Sequence, residues 1–244
     1  MLSHGKGSWI WDTTGRKYLD FSAGIAVNAL GHADEGVLKV RIQTVNFSCS
    51  GFTWLQVLQD QAGKLLHTSN LYHNEHAGKL AELLVELTKS HDGLSFDGAK
   101  VFFANSGTEA NEGALKVARK VGKERWAKAT GKPSDDPSCD KYEIVCFENG
   151  FHGRSMGALS VTSNPKYQSP FAPLIPGVRV GKLNTRESID NLISEKTCAV
   201  IVEPIQGEGG IQSANVDWLK ALRKKCDEVG AVLIFDEIQV CSVL

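Results

Sequence analysis

Several things are scarce or absent in this chain, and each absence excludes something. There is no excess charge of one sign: Lys+Arg number 27 and Asp+Glu 28 in 244 residues, a formal net charge of −1. Nothing in that balance would gather nucleic acid or an anionic membrane, and small-molecule chemistry is the default expectation. A bilayer-length apolar run is missing, because the longest uncharged stretch, 42–59, is interrupted by Gln43, Thr44, Asn46, Ser48 and Ser50. The N-terminus MLSHGKGSWIWD has neither the apolar core of a signal peptide nor the Arg- and Ser-rich pattern of a transit peptide. No CxxC pair occurs among Cys49, Cys139, Cys146, Cys198, Cys226 and Cys241, so reduced, mostly buried thiols are expected rather than a disulfide framework. Proline is sparse as well, with four of the 7 confined to 163–177. The remaining composition, 42% hydrophobic and 23% charged, is that of an ordinary globular protein.

What is present reads as alternating strands and helices. Ser8–Trp11 and 17–21, separated by Asp12-Thr13-Thr14-Gly15, predict a hairpin. Leu80, Leu83, Leu84 and Leu87 share one face of a helix that ends before His91-Asp92-Gly93. From residue 100 the pattern predicts a strand over 100–104, a helix from Ser106 to about Lys128 and a polar loop over 131–141. Ser106 and Glu109 have the spacing of a capping box, and Glu112 joins Glu109 in the early turns. Strands follow at 143–147 and 159–162, then a proline-rich loop over 163–177 and a buried strand over 198–202. Val216, Leu219, Leu222, Cys226 and Val229 mark a helix closed by Gly230, before a last strand over 231–235. Such alternation implies an α/β fold with mainly parallel strands and helices on both faces.

In such sheets ligands bind beyond the carboxyl ends of the strands. Asn105-Ser106-Gly107-Thr108 sits between a strand and a helix N-terminus and could hold a phosphate; a plain N-cap is the alternative. Asp236 and Glu237 end an apolar strand, and buried acids need a partner. Magnesium in a nucleotide hydrolase would require GxxxxGK[ST], yet none of the six Gly-Lys pairs is followed by Ser or Thr. A cationic heterocycle is the other partner, held by a charge-assisted hydrogen bond and kept electron-poor. Phe151 and His152 could lie over that ring or be core and loop; Arg154 could bind a substrate carboxylate or be an isolated surface charge. Glu203 and Glu208, within EPIQGEGG, bring two acids to the same rim. His73 and His76 match no metal motif and read as solvated side chains.

Five stretches together resemble the class III pyridoxal-phosphate aminotransferases: WDTTGRKYLDFSAGIAVNALGH (11–32), FFANSGTEANEGALKVARK (102–120), FENGFHGRSMGALSVT (147–162), VEPIQGEGGI (202–211) and LIFDEIQ (233–239). NSGTEANE is most similar to the acetylornithine branch of that family. The resemblance implies the fold type I architecture of pyridoxal-phosphate enzymes, with 1–40 part of a small domain and 41–244 a large cofactor-binding domain. It implies that Ser106, Gly107 and Thr108 hold the cofactor phosphate, that Phe151 stacks on the ring with His152 beside it, and that Asp236 pairs with the pyridine nitrogen. Gln239 would lie near the ring's phenolic oxygen, Arg154 would contact the substrate carboxylate, and Glu203 and Glu208 would line the pocket. The implied reaction moves the δ-amino group of N2-acetyl-L-ornithine to 2-oxoglutarate, giving glutamate, in arginine biosynthesis. Ornithine and GABA aminotransferase chemistry are the alternatives within the class. A homodimer is implied, and a mitochondrial matrix location if the source is eukaryotic, a cytoplasmic one otherwise.

The match departs from the family after Gln239. The family's catalytic lysine lies C-terminal to Asp-Glu-Ile-Gln, where only Val240-Cys241-Ser242-Val243-Leu244 stand here, so no residue can take that role. The expectation is therefore a C-terminally truncated chain, without the C-terminal small domain, that binds the cofactor without catalysing transfer. No metal is expected.

Overall fold

The computed structural model describes residues 1–26, 28, 30–34, 60–69, 71–91 and 98–239, so Cys49, Cys241, the uncharged stretch at 42–59, the boundary expected between 40 and 41, and 240–244 lie outside the described residues. The chain divides into two compact units, Met1–Val101 and Phe102–Leu244.

In the first unit β1 (Leu2–Lys6), β2 (Trp9–Asp12) and β3 (Lys17–Leu19) form an antiparallel sheet in that order. The expected hairpin is there, with Trp9 opposite Leu19 and Trp11 opposite Lys17, and β1 adds a strand that the sequence pattern did not reveal. Asp12 stabilises the turn by accepting from the Thr14 and Arg16 N–H groups and from the Tyr18 hydroxyl. A short α1 (Ala23–Ala26) follows. The leucine-faced helix is α2 (Glu75–Ser90), capped by the Asn74 side chain, which accepts from the N–H groups of His76 and Ala77.

The second unit is a doubly covered parallel sheet. Its elements are α3 (Gly107–Thr130), β4 (Glu143–Phe147), α4 (Met156–Val161), α5 (Pro165–Gln168), a 3-10 turn (Ser169–Phe171), β5 (Val178–Gly181), α6 (Arg186–Leu192), β6 (Thr197–Val202), β7 (Ile205–Gln206), β8 (Gln212–Ser213), α7 (Val216–Val229) and β9 (Val232–Phe235). Strands β5, β4, β6 and β9 lie side by side in that order, all parallel, while β7 and β8 form a separate two-residue ribbon. Val145, Phe147, Val200 and Val202 point to one face and pack on Ile189, Ile193, Trp218, Leu222, Cys226 and Val229 of the α6 and α7 side. Ile144, Cys146, Ala199 and Ile201 point to the other face, against Leu115 and Ala118 of α3 and Val161 of α4. Burial on both faces is why β4 and β6 read as continuous apolar runs rather than alternating ones.

Three expectations need correction. Residues 100–104 form no strand: they pair with nothing among the described residues, and Phe102 and Phe103 are exposed. Residues 159–162, read as a strand, belong instead to the helix α4 and its C-terminal end. There Glu112 accepts from the N–H groups of Gly157 and Ala158, which satisfies first-turn donors and favours the helix, while the Ser160 and Thr162 hydroxyls donate back to the carbonyls of Met156 and Ala158. The span 163–177 is not wholly loop, because Pro165 and Pro170 occupy first-turn positions of α5 and the 3-10 turn, where a missing N–H costs nothing. Cys139, Cys146, Cys198 and Cys226 are free thiols, the last three buried.

Candidate active site

Strand order places the site. The chain runs from β4 outward to β5, then crosses back to β6 on the other side of β4, so the connections diverge between β4 and β6. A crevice at the carboxyl ends of two such strands is where open α/β sheets bind ligands. Segments 148–155, 203–210 and 236–239 leave β4, β6 and β9 at that end. Glu203 straps the first two together: its buried carboxylate accepts from the Phe151 N–H at 2.8 Å and the Gly207 N–H at 3.3 Å. Burial pushes the Glu203 carboxyl above its ordinary value, against those two hydrogen bonds.

Asp236 lies at the centre and is buried. One oxygen, Oδ2, accepts from His152 Nδ1 at 2.7 Å and from Asn111 Nδ2 at 2.8 Å. The other, Oδ1, accepts from the Ile238 N–H at 3.2 Å. Burial alone would push this carboxyl up; the His152 and Asn111 hydrogen bonds and the attraction of His152 outweigh it, and the pKa falls below its ordinary value. The group is therefore held as a carboxylate inside the protein, with lone pairs to spare on Oδ1 for a cationic partner. His152 is fixed in turn, its N–H donating to Thr162 Oγ1 at 2.9 Å.

One helix turn from Asn111 is the start of α3. Ser106 is its N-cap, with extended backbone (φ −158°, ψ 163°) and a side chain that accepts from the Glu109 N–H. Glu109 closes the cap one residue earlier than a capping box would, accepting from the Asn105 N–H at 2.6 Å. First-turn N–H groups such as those of Gly107 and Thr108 have no intrahelical acceptor and sit at the positive end of the dipole, a place suited to a phosphate. Thr108 Oγ1 shares a hydrogen bond of 2.9 Å with Ser155 Oγ. The helix start is pressed against the Asp236 segment, because a Cβ on Gly107 would lie 2.5 Å from Ile238 Cδ1.

The rim carries the remaining residues. Arg154 is exposed, its guanidinium carbon 5.9 Å from the Phe151 ring centre and 5.4 Å from that of Tyr167. The Phe151 and Tyr167 rings meet edge to face at 5.8 Å. The Tyr167 hydroxyl donates to Glu208 Oε1 at 2.7 Å, which raises the tyrosine pKa. Gln239 lies on the Gly207 side, its Cβ 3.5 Å from where a Gly207 Cβ would stand.

Thus Asp236, His152 and the α3 start converge, Glu203 braces the two loops above them, and Arg154 and Glu208 meet at the rim through Tyr167. Sequence reasoning missed Asn111, Ser155 and Tyr167. Asn111 carried a signal: it lies in the buried stripe Asn111, Leu115, Ala118, Gly122, and an amide on an apolar stripe needs a partner. The donor set suits an elongated ligand with a phosphate at one end and a protonated ring nitrogen at the other.

Comparison with known proteins bears on that donor set. The class-III aminotransferase family description matches residues 1–241. The chain is 52% identical over 235 residues to the mitochondrial acetylornithine aminotransferase of Neurospora crassa, covering 96% of this chain and 45% of that protein. It is 54% identical over 239 residues to the mitochondrial acetylornithine aminotransferase of Yarrowia lipolytica, covering 98% and 51%. Its fold superimposes with a TM-score of 0.76 on the ornithine aminotransferase of Toxoplasma gondii ME49, at 28% identity over 98% of this chain and 49% of that one. With the N-acetylornithine aminotransferase of Stenotrophomonas maltophilia the TM-score is 0.68 at 34% identity, covering 98% and 50%. The chain spans about half the length of the curated relatives it matches.

Proposed function

The chain belongs to the class III aminotransferases, and from that premise we propose that its second unit seats pyridoxal phosphate, in a protein that transfers the δ-amino group of N2-acetyl-L-ornithine to 2-oxoglutarate. The observation that carries the reading is the buried Asp236, held as a carboxylate by His152 and Asn111, beside the start of α3. In this reading Ser106, Gly107 and Thr108 take the phosphate, Asp236 keeps the ring nitrogen protonated, Phe151 and His152 flank the ring, and Gln239 faces its phenolic oxygen. Bound there, the cofactor would supply an electron-poor ring that carries an amino group between donor and acceptor. Arg154, levered over Phe151 and Tyr167, presents a planar fork to a substrate carboxylate, and Glu208 offsets its charge at the rim.

Identities of 52% and 54% to proteins named acetylornithine aminotransferase support the acetylated substrate, and among solved structures the N-acetylornithine aminotransferase is 34% identical against 28% for the ornithine aminotransferase. The same relatives are named mitochondrial, which supports a matrix location. A homodimer, and a small domain that includes residues 1–40, complete the proposal. No lysine hydrogen-bonds or ion-pairs with Asp236, His152, Glu203 or Thr108 among the described residues. In this reading the described residues would seat the phosphate and partner the ring nitrogen. Titration of the chain with pyridoxal phosphate, followed by absorbance, tests the reading. Saturable binding that weakens with pyridoxal, which lacks the phosphate, and is insensitive to ATP supports it; no saturable binding, or displacement by ATP, overturns it.

A further inference from the structure

We propose that Asn111 is a positioning residue for the ring-nitrogen site, fixing Asp236 by its side-chain amide and linking that carboxylate to the phosphate seat one helix turn away. The geometry is specific. Asn111 is buried, and its single NH2 group donates twice, to the His152 carbonyl oxygen at 2.8 Å and to Asp236 Oδ2 at 2.8 Å. Both amide hydrogens are thereby used, one on the loop after β4 and one on the segment after β9. The same Asp236 oxygen takes His152 Nδ1, so the carboxylate is clamped between a helix and a loop and cannot rotate without breaking both bonds. Gly107 and Thr108 precede Asn111 by four and three residues on α3, so phosphate seat and carboxylate clamp occupy adjacent turns of one rigid element.

An amide at 111 also differs chemically from any acid there. It donates without ever offering a proton to share, which favours the ionised form of Asp236. Among the described residues, the charged and titratable groups facing Asp236 are His152, from the segment after β4, and Glu203, from the end of β6; His152 favours the carboxylate and Glu203 opposes it. Asn111 adds a neutral donor that favours the carboxylate alongside His152 without adding charge.

The cofactor arm of the test rests on the function proposed above; the titration arm does not. Asn111→Ala and the isosteric Asn111→Asp are made in the full chain, and each is checked by thermal melting. In the titration arm, the Asp236 carboxyl is followed by 13C NMR against pH without any ligand. A rise of its midpoint by about one unit in Asn111→Ala is expected, and a larger rise in Asn111→Asp, where two acids share one proton. An unchanged midpoint in a folded Asn111→Asp overturns the proposal, whatever the chain binds. In the cofactor arm, affinity for pyridoxal phosphate is expected to fall about tenfold in Asn111→Ala, while inorganic phosphate binds as before. Equal affinity for pyridoxal phosphate in the parent chain and the variant overturns the proposal. Failure of the parent chain to bind at all would count against the function proposed above and leave the titration arm to decide the role of Asn111.

Discussion

Replacing Gly153 by alanine isolates the contact on which the α3 start depends. Gly153 has φ +125°, a conformation side-chain-bearing residues rarely adopt, and a Cβ built on it would overlap Thr108 Oγ1 and stand 2.6 Å from Thr108 Cβ and 3.0 Å from Ala158 Cβ. Backbone strain of this kind costs about 1–3 kcal/mol. Overpacking adds about 1–3 kcal/mol, since Thr108 is held by Ser155 and Ala158 by the buried α4. The sum, about 2–6 kcal/mol, is a large part of the ~5–15 kcal/mol that stabilises a typical domain. Urea unfolding followed by far-UV circular dichroism reads it, and the midpoint should fall by about 0.7 M or more at an m-value of ~1–3 kcal/mol/M. Adding Thr108→Ala should relieve only the overlap with Oγ1, since the contacts at 2.6 Å to the Cβ at 108 and 3.0 Å to Ala158 Cβ remain with the backbone strain, giving a coupling of about 0.5–1 kcal/mol between the two positions. Stability of Gly153→Ala within about 0.5 kcal/mol of the parent, a change typical of neutral surface positions, would refute both the backbone geometry and the packing of Thr108 on the loop.

Other outcomes follow from the same structure. Asp236 has a carboxyl depressed below 3.8, so its contribution is complete above that value and is lost as pH falls through the lower folded value; Glu203 is raised above 4.5, so stability declines as pH climbs from 4.5 through its folded value. Unfolding free energies across acid pH should flatten below about 4 in Asp236→Asn, and a slope equal to the parent's would contradict the burial and bonding described. Lys141 is buried, and its ammonium donates to the carbonyls of Glu195 and Val229, closing the C-terminal end of α7. Its pKa is pulled below 10.5 by burial, so in the window beneath 10.5 the unfolded chain binds the proton more tightly and stability rises with pH. Lys141→Met should abolish that rise and cost about 1–3 kcal/mol for each carbonyl left without a donor, measured by urea unfolding at pH 7 and 10. Towards a thiol reagent, half-buried Cys139 should react well before Cys146 and Cys226, whose thiols burial raises to about 12, as peptide mapping of partly labelled protein would reveal.

Much of the second unit was legible because its physics is local. Helix α7 ends at Gly230, φ 65°, where the pattern placed it, and β4 and β6 are apolar runs bounded by polar ones. Among the elements of the second unit that the pattern did not reveal, three have a clear physical cause. All of α4 beyond Met156 is buried, so its apolar residues display no helical period, and its cap comes from Glu112, far away in sequence. Strand β5 (Val178–Gly181) carries a charged residue in four and leans on β4 for its register, and α6 is only seven residues long. At the site, Ser106, Gly107, Thr108 and Asp236 were readable from their places at element ends. Asn111 showed only as an amide on a buried stripe and Tyr167 not at all, because their partners lie 125 and 41 residues away and only the sheet topology brings them together.

Crystals of the chain grown with pyridoxal phosphate test the central claim most directly. The account places the phosphate against the Gly107 and Thr108 N–H groups and the ring nitrogen within hydrogen-bond distance of Asp236. Density for the ligand in any other orientation, or at any other place on the sheet, would contradict it.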